Sequence, residues 1–155
     1  MGFLDNPQVQ IILQLLLAAF LGGLVGLERE YKRKEAGLRT YSLVSLGAAL
    51  FTIVAFQVSA AFLEKTGTSF DPSRIIGQIV LGVGFIGAGL IIYRQFHLEG
   101  LTTAAGLWVV AGIGVAVAAK LYLIAVSAAI LAIIILAGLR VFEEKFREKM
   151  PEKPE

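Results

Sequence analysis

Residues 71–89 read Asp71-Pro72-Ser73-Arg74-Ile75-Ile76-Gly77-Gln78-Ile79-Val80-Leu81-Gly82-Val83-Gly84-Phe85-Ile86-Gly87-Ala88-Gly89. A capped, charged mouth runs directly into an apolar span with glycine at positions 77, 82, 84, 87 and 89. In water that density of glycine would ruin a helix. A membrane helix tolerates it, because neighbouring helices re-satisfy the backbone and exploit the missing side chains for close approach. The stretch is therefore expected to form the buried centre of an all-α, polytopic membrane protein.

The rest of the chain agrees. Its apolar fraction is 57% and its mean hydropathy +0.78, both far above a soluble domain. Five stretches without a charged residue approach or reach the length needed to cross about 30 Å of hydrocarbon: Gln8–Leu27, Tyr41–Leu63, Ile75–Tyr93, Gly100–Ala119 and Leu121–Leu139. The expected organisation is a transmembrane domain over residues 1–140 and a charged amphipathic tail over 141–155. In that tail Phe142, Phe146 and Met150 fall on one helical face before Pro151. The amino terminus has Asp5 and no basic residue, so the first span reads as uncleaved rather than as a signal peptide. There is no cysteine, which excludes disulfides, thiolate catalysis and zinc–sulfur sites; the single histidine, His97, makes no metal cluster by itself.

Basic residues set the orientation. Arg29, Lys32, Arg33, Lys34, Arg39, Arg94, Arg140, Lys145, Arg147, Lys149 and Lys153 fall on one side of a five-span topology, and only Lys65, Arg74 and Lys120 on the other. The positive-inside rule then places the amino terminus outside and the carboxyl terminus in the cytoplasm.

Local chemistry marks the boundaries. Asp71 before Pro72 is an N-cap with proline at the first helical position. Thr102 and Thr103 either cap the fourth span or lie inside it and hydrogen-bond neighbours. Lys120 marks a tight turn into the fifth span. Small residues, Gly87 among them, predict the contacts: Gly77 and Gly84 with Ala88 on one face of the third span and Gly82 with Gly89 on another. Gly112 lies with Ala105, Ala116 and Ala119 on the fourth, and Gly22-x-x-x-Gly26 forms a close-packing or dimerisation motif on the first. Alanines 125, 128 and 132 stripe an otherwise lipid-facing fifth span. These glycines read as helix packing, or as the lining of a narrow pathway. Gly82-Val-Gly84-Phe-Ile-Gly87 matches the dinucleotide pattern G-x-G-x-x-G, but it sits in mid-span without the strand that pattern needs.

The charged candidates cluster at span ends. The middle of Glu28–Thr40 reads as a topogenic, headgroup-binding loop. Glu28, Arg29 and Arg39 differ because they abut the membrane, where a charge needs a partner. They form either a Glu28–Arg39 pair or a binding site for an ion, headgroup or partner helix. Asp71 and Arg74, three residues apart, are either a cap and an interface anchor or a polar mouth. Within the spans, Gln14, Gln57 and Gln78 are available to bond across helices. No titratable group lies deep in a span, which weighs against a proton-coupled pump.

Gly26-Leu-Glu28-Arg29-Glu30, followed by Ala36-Gly37-Leu38-Arg39-Thr40-Tyr-Ser-Leu-Val-Ser-Leu-Gly47-Ala, resembles the opening of the MgtC/SapB family membrane domain. Asp71-x-x-Arg74, Gly82-Val-Gly-Phe-Ile-Gly-Ala-Gly89 and Gly100-Leu-Thr-Thr-Ala-Ala105 match its later blocks in order, so that the resemblance covers roughly residues 8 to 140. It implies a small, five-span bacterial inner-membrane protein linked to magnesium homeostasis. For virulence-associated members it implies a regulatory role that includes inhibition of the F-type ATP synthase. The motif positions it carries over are Glu28, Arg29, Gly37, Arg39, Thr40, Asp71, Arg74, Gly84, Gly87, Gly89, Gly100, Thr102 and Thr103. Longer members append a soluble domain; ending at Glu155, the chain resembles the short, SapB-like form.

The expectation is a non-enzymatic protein of the bacterial inner membrane, seated in the lipid bilayer as a homo-oligomer with a dimer favoured, that modulates another membrane protein complex or magnesium balance. No Ser-His-Asp set, HExxH motif, carboxylate pair or nucleotide loop is present. No cofactor and no nucleic acid are expected, and magnesium is a ligand the sequence leaves open. The alternative is a direct divalent-cation transporter or channel formed by the third and fourth spans or by a dimer. A conduit predicts that Asp71 and the Arg39–Thr102 region face a continuous polar cavity. A regulator predicts an occluded interior and a small-residue face open to lipid.

Overall fold

The computed structural model describes residues 2, 6–68, 71–94 and 97–139; the tail expected over 141–155 lies outside them. Helix α1 spans Pro7–Tyr31, α2 Leu38–Thr66, α3 Ser73–Leu90, α4 Leu101–Ala118 and α5 Tyr122–Ile133, the last continuing as a π-helical turn over Ile134–Gly138. The first four are long and apolar enough to cross a membrane, and the apolar segment Tyr122–Gly138 is shorter.

The helix ends follow from local chemistry. Asn6 accepts a hydrogen bond from the Gln8 N–H (2.9 Å) and Pro7 opens α1, a side-chain cap with proline behind it. Gly67, at φ +69°, closes α2 in the left-handed conformation. The Asp71 carboxylate accepts from the Ser73 N–H (2.9 Å) and the Ser73 hydroxyl (2.7 Å), so it does cap the start of α3, with Pro72 as the formal boundary residue. Lys120, at φ +61°, makes the tight turn expected between α4 and α5, its N–H bonded to the Val117 carbonyl.

One connection departs from expectation. The third span does not run on to Tyr93. α3 stops at Leu90, and Ile92–Arg94 (β1) pairs antiparallel with His97–Glu99 (β2), Tyr93 opposite Leu98. Gly100 then turns the chain into α4 at φ +87°, with the Leu90 carbonyl where a Cβ would sit. Only glycine fits there.

The core lies where α1, α2 and α4 meet. Helix α2 faces inward with Tyr41, Ser45, Ala48, Thr52, Ala55 and Ser59, a stripe of mostly small residues at helical spacing. Against it, Gly22 and Gly26 of α1 let the Tyr41 and Ser45 backbone approach: a Cβ on Gly22 would lie 2.5 Å from the Ser45 Cβ. Gly106 and Gly114 of α4 do the same from the other side, Gly106 under the Tyr41 ring and Gly114 on the Ser45 carbonyl. The Gly22-x-x-x-Gly26 motif is thus spent inside the chain. Gln14 adds a polar tie, its Nε2 donating to the Val117 carbonyl (3.1 Å) near the end of α4. Gln57 and Gln78 are exposed.

Helix α3 is not the buried centre. Only Val83 and Gly87 are buried along it. Gly87 packs on Ala104 of α4 (3.4 Å), while Gly77, Gly82, Gly84 and Gly89 have nothing within 4 Å of where a Cβ would stand. The small-residue face expected on α4 is used only in part: Ala105 and Gly112 are exposed and Ala116 and Ala119 half-buried, while α4 packs mainly through Thr103, Gly106, Leu107, Val110, Gly114 and Val117. The misreading has a physical origin. Lipid and protein interior are equally apolar, so composition does not reveal which small-residue face a membrane helix turns inward. On α5 the alanine stripe holds, with Ala125, Ala129 and Ala132 buried and Ala128 partly so.

Candidate functional site

The end of α1, the start of α2 and the start of α4 converge on one end of the bundle, here called the basic end. Arg29 sits in the last turn of α1 and is only 4% exposed. Its Nη2 donates to the Thr103 hydroxyl (2.7 Å). Its Nη1 lies 3.8 Å from a Glu28 Oε, forming the one ion pair among the described residues. The Thr103 hydroxyl in turn donates to a Glu35 Oε (2.9 Å), and the Thr103 carbonyl accepts from the Tyr41 hydroxyl (3.0 Å). Thr103 therefore ties together α1, the α1–α2 loop, α2 and α4.

Two polar groups in this cluster are left short. Both Glu28 carboxylate oxygens and the Arg29 Nε are buried without a hydrogen-bond partner. Desolvation makes such orphan atoms expensive, and the Glu28–Arg29 attraction offsets only part of that cost.

The loop is organised around the same end. Glu30 accepts from the Leu38 N–H (3.0 Å), capping α2, and Gly37 has no side chain because the Glu30 carboxylate fills its place. Arg33 turns the chain at φ +53°. Glu35 is exposed; a hydrogen bond from its own backbone and another from the Thr103 hydroxyl hold its carboxyl below the usual glutamate range.

Beside this cluster lies a cavity of about 440 Å³ lined by Arg29, Arg33, Lys34, Glu35 and the segment from Leu98 to Thr103. A smaller cavity of about 290 Å³ sits at the opposite end, among Gln10, Gln14, Gln57 and Lys120. Between the two, Val25, Ser45, Thr52, Leu107 and Val110 are fully buried. A third, apolar groove of about 680 Å³ runs along the outside between α2 and α3, lined by Thr40, Leu43, Phe51, Gln78, Gly82 and Ile86 among others.

The candidates read from sequence are thus divided. Glu28, Arg29 and Thr103 come together, and Thr102 lies exposed at the neighbouring cavity. Arg39 is exposed and makes no ion pair among the described residues, so the expected Glu28–Arg39 pair is replaced by Glu28–Arg29: Arg29 sits on the same helix end and turns inward. Thr40 lines the outer groove instead. Asp71 and Arg74 are exposed at the far end, where Ser73 rather than Arg74 takes the Asp71 carboxylate and, as the first cause, holds its pKa low. Tyr41 and Glu35 belong to the site although no motif reading singled them out. The Tyr41–Ser45–Ala48–Thr52 spacing was the available signal for the tyrosine. Among the described residues no three His, Cys, Asp or Glu side chains stand close enough to hold a metal ion.

Comparison with known proteins completes the picture. A sequence model described as the MgtC family matches residues 15–145. The chain is 42% identical over 127 residues to YhiD of Escherichia coli (strain K12), a protein carrying the provisional name of a magnesium transporter, covering 82% of this chain and 59% of that one. It is 49% identical over 105 residues to Protein MgtC of Salmonella typhimurium (strain LT2), covering 67% and 41%. With an uncharacterised protein of Haemophilus influenzae it shares 38% over 134 residues, covering 84% and 56%. The chain therefore spans about half the length of the curated relatives it matches. No solved structure matches it. With most of its length matched, including the Glu28–Arg29 corner, the Thr103 hub and the glycine helix, this multi-pass membrane protein belongs to the MgtC family.

Proposed function

We propose that this chain is a non-enzymatic protein of the bacterial inner membrane that serves magnesium homeostasis by docking, through α3, on a transmembrane helix of other membrane machinery. The magnesium link comes from the family resemblance and from the name carried by the Escherichia coli relative. In this reading the chain crosses the membrane five times, with Tyr122–Gly138 as a short final crossing. Eleven of its 14 Lys and Arg residues fall on the cytoplasmic side, as the positive-inside rule requires.

The observation that carries the reading is the open glycine face. Each glycine in a helix costs about 0.5–1 kcal/mol relative to alanine, and at Gly77, Gly82, Gly84 and Gly89 no neighbour among the described residues stands where a Cβ would meet it. A second helix, laid along α3 and the adjoining apolar groove, would use them for close backbone approach. The packed interior between the two end cavities supports regulation over conduction.

The test is magnesium flux into proteoliposomes holding folded, monodisperse protein, paired with magnesium-limited growth of cells carrying Gly82→Leu or Gly84→Leu. The reading expects no flux above empty liposomes, and loss of function in the leucine variants at normal protein level. Saturable flux would overturn it in favour of a cation transporter. Self-association of the purified chain that the same leucine substitutions abolish would assign α3 to a homodimer instead.

A further inference from the structure

The cavity at the basic end gathers three cationic side chains and two carboxylates. Arg33 and Lys34 line it from the loop and Arg29 from α1, opposed by the carboxylates of Glu35 and Glu99. The start of α4 supplies more positive potential: its cap residue, Gly100, offers no side-chain acceptor, so no side chain caps the first N–H groups of this 18-residue helix. The exposed Thr102 hydroxyl stands beside them, with no hydrogen bond among the described residues. The independent sign of a ligand is Arg29. Its side chain is 95% buried, given the 5% exposure of the ion pair's arginine, yet it lines the cavity with Nε unpartnered. Buried polar atoms are nearly always hydrogen-bonded, so this shielded N–H, beside an equally orphaned Glu28 carboxylate, marks an incomplete polar cluster at the cavity wall.

We infer that this cavity binds a phosphate monoester, held by Lys34, Arg33, the Thr102 hydroxyl and the N-terminal N–H groups of α4, beside the buried Arg29. About 440 Å³ accommodates a phosphoryl group with part of its carrier. Arginine forks and helix N-termini are the common partners of such groups. Glu35 occupies the edge of this seat, its carboxylate on the Thr103 hydroxyl next to Arg29, and competes with the incoming anion. The carrier is either a lipid of the adjacent leaflet or a soluble phosphoester. The inference holds whether or not α3 docks a partner.

The test is calorimetric titration of the purified full chain in detergent with dihexanoyl phosphatidic acid, glycerol 3-phosphate and dihexanoyl phosphatidylcholine. The monoesters are expected to bind saturably and the choline diester not. Stronger binding of phosphatidic acid identifies a lipid, and equal binding of glycerol 3-phosphate a soluble ligand. Lys34→Gln and Thr102→Val each change an exposed residue and leave the fold intact. Lys34→Gln is expected to weaken binding about tenfold, the loss of one charge-assisted hydrogen bond, and Thr102→Val by less. Glu35→Gln is expected to tighten binding, while Lys32→Gln, in the same loop but off the cavity, leaves it unchanged. Absence of monoester binding overturns the inference. So does an equal loss in Lys32→Gln and Lys34→Gln, which would reduce the effect to attraction by a basic surface, or unchanged affinity in Glu35→Gln.

Discussion

Two sets of glycines divide this molecule. Gly22, Gly26, Gly106 and Gly114 are each pressed against Tyr41 or Ser45 of α2, so tightly that any Cβ would collide. Gly77, Gly82, Gly84 and Gly89 of α3 have no neighbour, among the described residues, within 4 Å of where a Cβ would stand. The first set makes three helices into one rigid unit, and the second leaves a fourth helix ready for a neighbour. The same residue type, in equally apolar sequence, therefore does opposite work. What separates the two is whether the facing helix also offers small side chains, as α2 does with Ser45 and Ala48.

The comparison is open to attack at several points. The largest effect is expected from Arg29→Met, at the basic end of the rigid unit. It leaves the Glu28 carboxylate buried without its cation, a loss of about 3–5 kcal/mol, read as a lower urea midpoint in detergent. Next comes Gly114→Ala, which drives a methyl group into the Ser45 carbonyl and should cost at least about 1–3 kcal/mol by the same measurement. Gly84→Ala, the matched change on α3, should be neutral or stabilise the isolated chain by about 0.5–1 kcal/mol. If it destabilises as much as Gly114→Ala, the contrast between the two sets collapses.

The smallest effect concerns the loop. Glu35 has its folded pKa lowered, first by the hydrogen bond from its own backbone and then by that from Thr103, so these contacts stabilise the fold fully at neutral pH. That contribution fades as pH falls through the lowered value, below about 4.3. Glu35→Gln should flatten the acid limb of a thermal-melting profile by slightly lowering the neutral-pH melting temperature while leaving the acid end unchanged.

Much of this architecture was legible in the chain. The apolar spans, the Asp71 cap, the turn at Lys120 and the alanine stripe of α5 follow from length, capping chemistry and periodicity. Glu28, Arg29 and Arg39 stood out because charges beside a membrane need partners, but the pairing was read as Glu28–Arg39, and the structure pairs Glu28 with Arg29. The hub itself was hidden: Arg29 and Thr103 are 74 residues apart, and nothing local links them. The hairpin of β1 and β2 was hidden too, because Ile92 and Tyr93 continue an apolar run that reads as helix. The role of α3 was misjudged for a deeper reason. In water, burial sorts apolar from polar faces, whereas in a bilayer a glycine facing lipid and a glycine facing protein look alike in sequence.

The Thr103 hub also has a consequence for biosynthesis. Arg29 and Tyr41 leave the ribosome long before residue 103, and their partners exist only once α4 has been made. Until then Arg29 has only the ion pair with Glu28, and the Tyr41 hydroxyl lacks the carbonyl it bonds in the finished bundle. A chain truncated after α3 would lack both the Thr103 hydroxyl that Arg29 bonds and the Thr103 carbonyl that Tyr41 bonds. Completion of the bundle is thereby coupled to the concealment of one arginine.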